Sequence, residues 1–333
     1  MRALFIGGTG NISTACGKLA LSRGIDLSII SRGQRTRSEL PDAAFITADI
    51  NDTGLLRQEL KGMHFDVVVN FIAFTPGEIE RHIQLFSGRC DQYIFISSAS
   101  AYQKPPSHPV ITESTPLANP YWDYSRDKIA CEEILMKAYR EKDFPVTIVR
   151  PSHTYETVIP VAIGSWEDFT IIERMRRGGT VIIHGDGTSL WTITHSKDFA
   201  KGFVGLMGNM QAIGHSFHIT SDELLNWNQI YQAVAGAAGV ELKARHIATD
   251  FICSEADKLG QEWMRGNLLG DKANSVIFDN TKIKRFVPGY LATIPFREGI
   301  KKTVEWFDAH PDRIRIDEEN NRLMDAVLAA YTG

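Results

Sequence analysis

Over its first 150 residues the chain alternates short β-branched runs with amphipathic stretches, and no other feature limits its fold as much. Residues 3–6, 27–30, 44–47, 66–70, 93–97 and 146–149 read as strands bounded by turn residues. Between them, apolar positions recur at helical spacing over 12–22, 53–61, 76–86 and 124–139. Strands joined through helices pair in parallel, and the helices then cover both faces of the sheet. The pattern predicts an α/β fold, a doubly wound parallel sheet whose ligand lies beyond the carboxyl ends of the strands.

After Pro151 the pattern loosens. Residues 175–187 read as the end of a helix, a strand and a Gly-rich turn, followed by a strand at 191–194 and a helix at 197–207. Helices at 227–238 and 250–259 and a C-terminal amphipathic stretch follow, with no repeat or Pro/Ser linker. A sheet domain over 1–155, with later returns near 190–220 and 276–290, is therefore expected to carry an interleaved lobe over 156–333. The cleft between them is where a small molecule would bind.

At 333 residues the chain exceeds one ordinary core. Its 43% apolar and 23% charged content is that of a globular protein. No apolar run approaches the ~20 residues of a membrane helix, so a soluble protein with no membrane partner is expected. The run behind Arg2 stops at Gly7, short of the roughly 7–15 residues of a signal-peptide core, and the expected location is the cytoplasm. A net charge of −4 argues against a nucleic-acid surface. Cys16, Cys90, Cys131 and Cys253 are far apart and form no C-x-x-C pair, which suits free thiols. His215 and His218 should face opposite sides of a strand, H-E-x-x-H is absent, and no metal site is expected.

The strongest local signal is Gly7-Gly8-Thr9-Gly10-Asn11-Ile12-Ser13, between the first strand and the first helix. Glycines let the backbone approach a pyrophosphate, and the helix N-terminus offers unpaired N–H groups and partial positive charge. The turn therefore points to a dinucleotide held by Gly7, Thr9, Gly10, Asn11 and Ile12. An acid at the end of the second strand would bind the adenosine ribose and repel a 2′-phosphate. Here the residues are Ser31-Arg32-Gly33-Gln34-Arg35. With no acid present, and with Arg32 and Arg35 able to pair with phosphate, NADP is favoured modestly over NAD. Asp49 and Ile50, after the third strand, would meet the adenine, although an Asp in a loop before a helix has an adequate capping role.

The second signal is Tyr124-Ser125-Arg126-Asp127-Lys128. Positions i and i+4 share a helix face, so phenol and ammonium point into one space, where the ammonium should stabilise the phenolate toward general-base strength. Tyr-x-x-x-Lys is common by chance; its weight comes from Ser97 and Ser98 at the carboxyl edge of the sheet.

Together, in this order, these elements resemble the short-chain dehydrogenase/reductase superfamily, in its extended NAD-dependent epimerase/dehydratase branch. The resemblance rests on the Gly7–Ser13 turn, the 95–102 run Phe-Ile-Ser-Ser-Ala-Ser-Ala-Tyr, the Tyr124/Lys128 pair, Arg150-Pro151, Gly185-Asp186-Gly187 and the stretch 195–198. It implies a Rossmann-type doubly wound sheet with a smaller, mainly helical C-terminal substrate lobe. It also implies an NAD- or NADP-dependent oxidoreductase or epimerase acting on a secondary hydroxyl or keto group of a sugar-like small molecule. Counting back from Tyr102 puts the family's catalytic hydroxyl on Ser98, with Tyr124 exchanging the proton and Lys128 orienting the nicotinamide ribose. Ser100 is a weaker candidate for the hydroxyl role. Phe71, Ile72 and Ala73 should pass beneath the cofactor and Pro151 should border it, with Phe74 and Thr75 reaching the substrate. Relatives often dimerise through helices of the sheet domain, so a homodimer is an expectation here.

The departures from the family pattern are also informative. Ser13 replaces the third glycine of the turn, so the helix should pack less closely on its strand. Ala99 and Ser100 occupy the positions of the Asp-Glu pair of nucleotide-sugar dehydratases, which disfavours dehydration. The two arginines that clamp a nucleotide-sugar diphosphate are replaced by Trp191 and by the 267–269 stretch. A nucleotide sugar is doubtful unless Arg265 or Arg174 substitutes. Trp191 suits a stacking contact or a core aromatic, His153 a substrate contact or a packed loop residue, and His195 a helix cap. The other class open to the sequence is a non-catalytic NADP-sensing or RNA-associated relative, against which the intact Ser98, Tyr124 and Lys128 and the acidic balance both count.

Overall fold

The computed structural model describes residues 1–33 and 39–331. Strands β1 (Arg2–Ile6), β2 (Asp26–Ser31), β3 (Ala44–Thr47), β4 (Phe65–Asn70), β5 (Cys90–Ile96), β6 (Val146–Pro151) and β7 (Ser216–Ile219) form one sheet in the order β7-β6-β5-β4-β1-β2-β3. Every neighbouring pair is parallel. Helices α1 (Asn11–Ser22), α2 (Thr53–Glu59), α3 (Pro76–Phe86) and α4 (Asp123–Lys142) supply the crossovers. This is the predicted α/β doubly wound sheet. The strand order reverses between β1 and β4, so the turns after those two strands flank the crevice where such sheets bind ligands.

Alternate residues of the strands enter two separate cores. Phe5, Val67, Val69 and Ile94 pack under α1 and the Ser196–Leu206 helix. Leu4, Val68, Tyr93 and Phe95 pack under α3 and α4. A third core joins Ala99, Tyr102 and Ile111 to residues between Tyr155 and Val327 and is built mostly from helices of the later part of the chain. The period of two in the strands thus fills both faces with apolar side chains.

Some boundaries differ from expectation. The predicted strand at 191–194 is two bridges: Leu190–Trp191 pairs antiparallel with Leu225–Asn226, while Thr194–His195 pairs parallel with Thr154–Tyr155. Partner choice divides the run, which its composition did not show. Ser97 lies just past β5, although its N–H still reaches the Val149 carbonyl at 2.7 Å. Ser13 does not simply hold α1 away from its strand. It is buried, and its Oγ accepts the Gly10 N–H at 2.8 Å, the half of a capping box in which the third helical residue reaches back to the N-cap backbone.

The four cysteines are free and buried. No helix is long and apolar enough to cross a membrane, and no group of metal-ligating side chains occurs among the described residues. His215 lies against Phe286, whereas His218 is buried, bonded to the Tyr102 hydroxyl and the Asp279 carbonyl.

The helix that carries Tyr124 and Lys128 is joined to the sheet by a buried ion pair. Arg150 on β6 and Glu132 on α4 are 4% and 2% exposed. The guanidinium Nε reaches Glu132 Oε1 at 2.9 Å and Nη2 reaches Oε2 at 2.6 Å. The Arg150 guanidinium also lies 4.8 Å from the Tyr102 ring centroid. Removing one partner of such a pair strands a charge in low dielectric. Glu132→Ala is expected to lower stability by ~3–5 kcal/mol in urea denaturation; a loss below ~1 kcal/mol would show that the pair does not anchor the helix.

Candidate active site

The turns after β1 and β4 open into a cavity of 1120 Å³. At one end it is lined by Gly7, Thr9, Gly10, Asn11 and Ile12 of the first turn. Ser31 and Arg32 after β2, Asp49 and Ile50 after β3, and Phe71 and Ile72 after β4 continue the wall. Ser98, Tyr124, Pro151, Phe74 and His153 line it further along. Ala73, Ser100 and Lys128 are buried directly behind, at 1%, 3% and 1% exposure. Arg35 lies outside the described residues. Trp191 is placed elsewhere: it is 2% exposed in the lobe core against Trp227, centroids 5.8 Å apart, away from the cavity wall. Its flanking strand turns the indole inward, where apolar packing retains it.

The geometry of the first turn suits a dinucleotide. Gly7 has φ +82°, and a Cβ there would come within 2.3 Å of Ile72; one on Gly8 would come within 2.7 Å of Ile29. The backbone therefore runs where no side chain fits. It leads into the N-terminus of α1, whose first N–H groups have no intrahelical acceptor. At the cavity wall the buried Ser97 hydroxyl has no hydrogen-bond partner, a donor left for a bound group. Asp49 accepts the Asn51 N–H at 2.8 Å and lines the cavity, while the capping of α2 falls to Asp52.

The hydroxyl groups form a directional chain. Ser125 Oγ donates to Ser100 Oγ at 2.7 Å, the Ser100 and Ser98 oxygens are 2.8 Å apart, and Ser98 is bonded to the Tyr124 phenol. With Ser125 donating, Ser100 passes its proton toward Ser98, which leaves the Ser98 proton for Tyr124 or for a substrate oxygen. Ser100 therefore lies one bond behind Ser98.

Lys128 departs from expectation. Its Nζ donates to the carbonyls of Ala73 at 2.7 Å and Ile96 at 2.9 Å and stands 4.5 Å from the centroid of the Phe74 ring. Directed there, the ammonium does not bring the phenol down. Burial pushes Tyr124 up to about 12, opposed by the Ser98 hydrogen bond. Burial likewise lowers Lys128 to about 8. His195 caps the Ser196–Leu206 helix, its Nδ1 accepting the Lys197 N–H at 3.2 Å. Arg174 and Arg265 are turned to Asp325 and Asp257 and do not line the cavity.

Several wall residues carry no sequence motif. Trp122, Trp166, Trp263, Asn267, Asp271 and Lys272 come from the segment before α4 and from the lobe. Only the fold brings them together.

Residues 3–220 match the model of the NAD dependent epimerase/dehydratase family. The chain belongs to this family. The family, of the extended short-chain dehydrogenase/reductase type, includes NAD-dependent epimerases and dehydratases. The chain is 23% identical over 251 residues to the chloroplast stem-loop binding protein of 41 kDa b of Arabidopsis thaliana, covering 72% of this chain and 63% of that protein. It is 22% identical over 311 residues to the human dTDP-D-glucose 4,6-dehydratase, covering 85% of this chain and 80% of that enzyme. Among solved structures, the dTDP-glucose 4,6-dehydratase of Bacillus anthracis in complex with NAD superposes with a TM-score of 0.74 at 17% identity, over 94% of this chain and 98% of that one. The fold is therefore that of the family.

Lys128 has a pH signature. Its folded value, about 8, lies below the unfolded 10.5. Between the two, the unfolded chain holds the proton and the folded chain does not, so stability rises with pH across that window, and the penalty for burying the charge is fully present below it. Between pH about 8 and about 10, the cofactor-free protein should gain ~1–3 kcal/mol relative to Lys128→Met. Parallel pH profiles of the two stabilities would exclude a Lys128 whose ammonium is lowered by burial.

Proposed function

We propose that the protein is an NAD(P)-dependent oxidoreductase or epimerase that acts at a secondary hydroxyl or keto group of a sugar-like substrate. The observation that carries this reading is the convergence of Ser98 and Tyr124 on the cavity that begins at the glycine turn, with Lys128 immediately behind them. The glycine turn, Arg32 and Asp49 would hold the dinucleotide, and Lys128 the ribose beside Tyr124. A nicotinamide bound there supplies the hydride acceptor and donor for an alcohol–ketone pair.

The chain's own residues then manage the proton. Ser98 donates to the substrate oxygen, its hydroxyl directed by Ser100 and Ser125. Tyr124 takes the proton from an alcohol or returns it to a ketone. At about 12 its phenol is too weakly acidic to act as a base near neutrality. Lowering it requires the Lys128 ammonium to leave the Ala73 and Ile96 carbonyls and turn toward the phenol. A ribose hydroxyl would give Lys128 a new acceptor on that side.

Arg32, exposed where it lines the cavity, in a 31–35 sequence run that holds no acid, favours NADP and net reduction over a retained NAD and epimerisation. One relative is named for stem-loop binding, which makes a nucleic acid such as RNA the rival ligand class. The −4 charge and the intact Ser98, Tyr124 and Lys128 weigh against it.

Denaturing the purified protein and weighing the released nucleotide tests the cofactor: tightly held NAD supports epimerisation, whereas NADPH, or an empty site preferring NADPH, supports reduction. Tyr124→Phe is expected to lose activity by about two to four orders of magnitude while still binding cofactor. Near wild-type turnover in that variant would overturn the mechanism. Failure to bind either dinucleotide, together with salt-dependent RNA binding, would overturn the reading itself.

A further inference from the structure

Past Tyr124 the cavity runs on toward the lobe, and its wall changes character. Trp122, Trp166 and Trp263 line it, the last two 38% and 51% exposed. Trp166 and Trp263 leave part of their flat apolar surface open, while Trp122 packs on Tyr124 with ring centroids 5.1 Å apart. Trp166 is itself held by His153, the rings stacked with centroids 4.8 Å apart and planes 13° from parallel. His153 is kept neutral because burial, and then the Lys272 charge, push its pKa well down, so this stacked pair adds no cation.

The charged side chains at this end are mostly acids. Glu167 and Asp168 directly follow Trp166, and Asp271 follows Gly270, which abuts Trp122, against Lys272 as the cation among the described residues there; Asp168 already accepts the Ser165 hydroxyl and the Thr170 N–H. Lys272 is already engaged, its Nζ donating to Asn267 Oδ1 at 2.6 Å and Asp271 Oδ2 at 3.1 Å. Neither Arg174 nor Arg265 reaches the cavity. A diphosphate brought here would lose its hydration, find no arginine fork, and stand among carboxylates.

We infer that the substrate is a pyranose-like polyol without phosphate, neutral or amino-bearing, stacked on the tryptophans and hydrogen-bonded through its hydroxyls to the carboxylates. Carboxylates accept hydroxyl protons, and the C–H faces of a sugar ring complement an indole face. This rests on the oxidoreductase reading above for the redox step, and it differs from the nucleotide sugars named for the dehydratase relatives.

Saturation-transfer NMR and calorimetry on the protein saturated with NADP, so that the dinucleotide end is filled, test it with four probes: methyl α-D-glucopyranoside, D-glucosamine, UDP and UDP-glucose. Ring protons of at least one pyranoside should receive saturation, falling about threefold to tenfold in Trp166→Ala or Trp263→Ala at unchanged melting temperature. UDP and UDP-glucose should give no heat below millimolar concentration. Micromolar binding of UDP or UDP-glucose would overturn the inference, as would the absence of saturation transfer to both pyranosides. NADP binding, measured first in the same sample, separates the two ideas. Retained cofactor with tight UDP means a redox enzyme for a nucleotide sugar, whereas no cofactor binding is the failure of the oxidoreductase reading alone.

Discussion

The buried pair between Arg150 and Glu132 is the contact on which the site depends. It is the one charged bond that fixes α4 to β6, and both residues are almost wholly enclosed. Lys128 and Tyr124 sit about one and about two turns from Glu132 toward the N-terminus of the same helix, so their height above the sheet follows from where that carboxylate is held. A pair of this kind adds little net stability over well-packed apolar residues, but it accepts only one register. The same guanidinium lies on the Tyr102 ring and reaches the Glu113 carbonyl at 3.5 Å. The strap after β5, which carries Ser98 and Ser100, is thereby tied to the same anchor.

Around that anchor the polar groups are arranged by direction as well as by distance. The serine chain runs from the helix interior outward and ends in a donor at the cavity. The lysine instead points back at two carbonyls beneath the sheet edge. Burial acts on both titratable groups in the sense that favours their neutral forms, which raises the phenol and lowers the ammonium. The resting site is therefore quiet, and a ligand that offers Lys128 another acceptor changes the charge state around Tyr124.

Much of this was legible in the chain. A two-residue period between helical stretches marks buried parallel strands, and the six runs read as strands all appear in the sheet. The first glycine turn was readable because Gly7 and Gly8 stand where any side chain would strike Ile72 or Ile29. Tyr124 and Lys128 were readable because helical spacing is local. What was hidden was non-local. Trp191 could be read either as a ligand contact or as a core aromatic, and only its partner Trp227, in another element, decides for the core. Trp122, Trp166 and Trp263 are single residues in irregular or short segments, and no periodicity relates them. The direction of the Lys128 ammonium depended on two backbone carbonyls, which carry no sequence signature.

Asn11 opens α1 directly beyond the glycine turn, and its side chain bridges to a distant segment. Its Nδ2 donates to the Thr154 carbonyl at 2.8 Å, and its Oδ1 accepts the Thr157 N–H at 3.3 Å. The turn suited to phosphates is thus laced to the strand that leads out of the sheet toward the lobe. Any swing of that strand wide enough to empty the dinucleotide end must break the lacing, whereas a small ligand passing among the tryptophans need not disturb it. If the cleft works as proposed, passage of a small ligand and opening of the glycine turn would be mechanically separate, with Asn11 holding only the second.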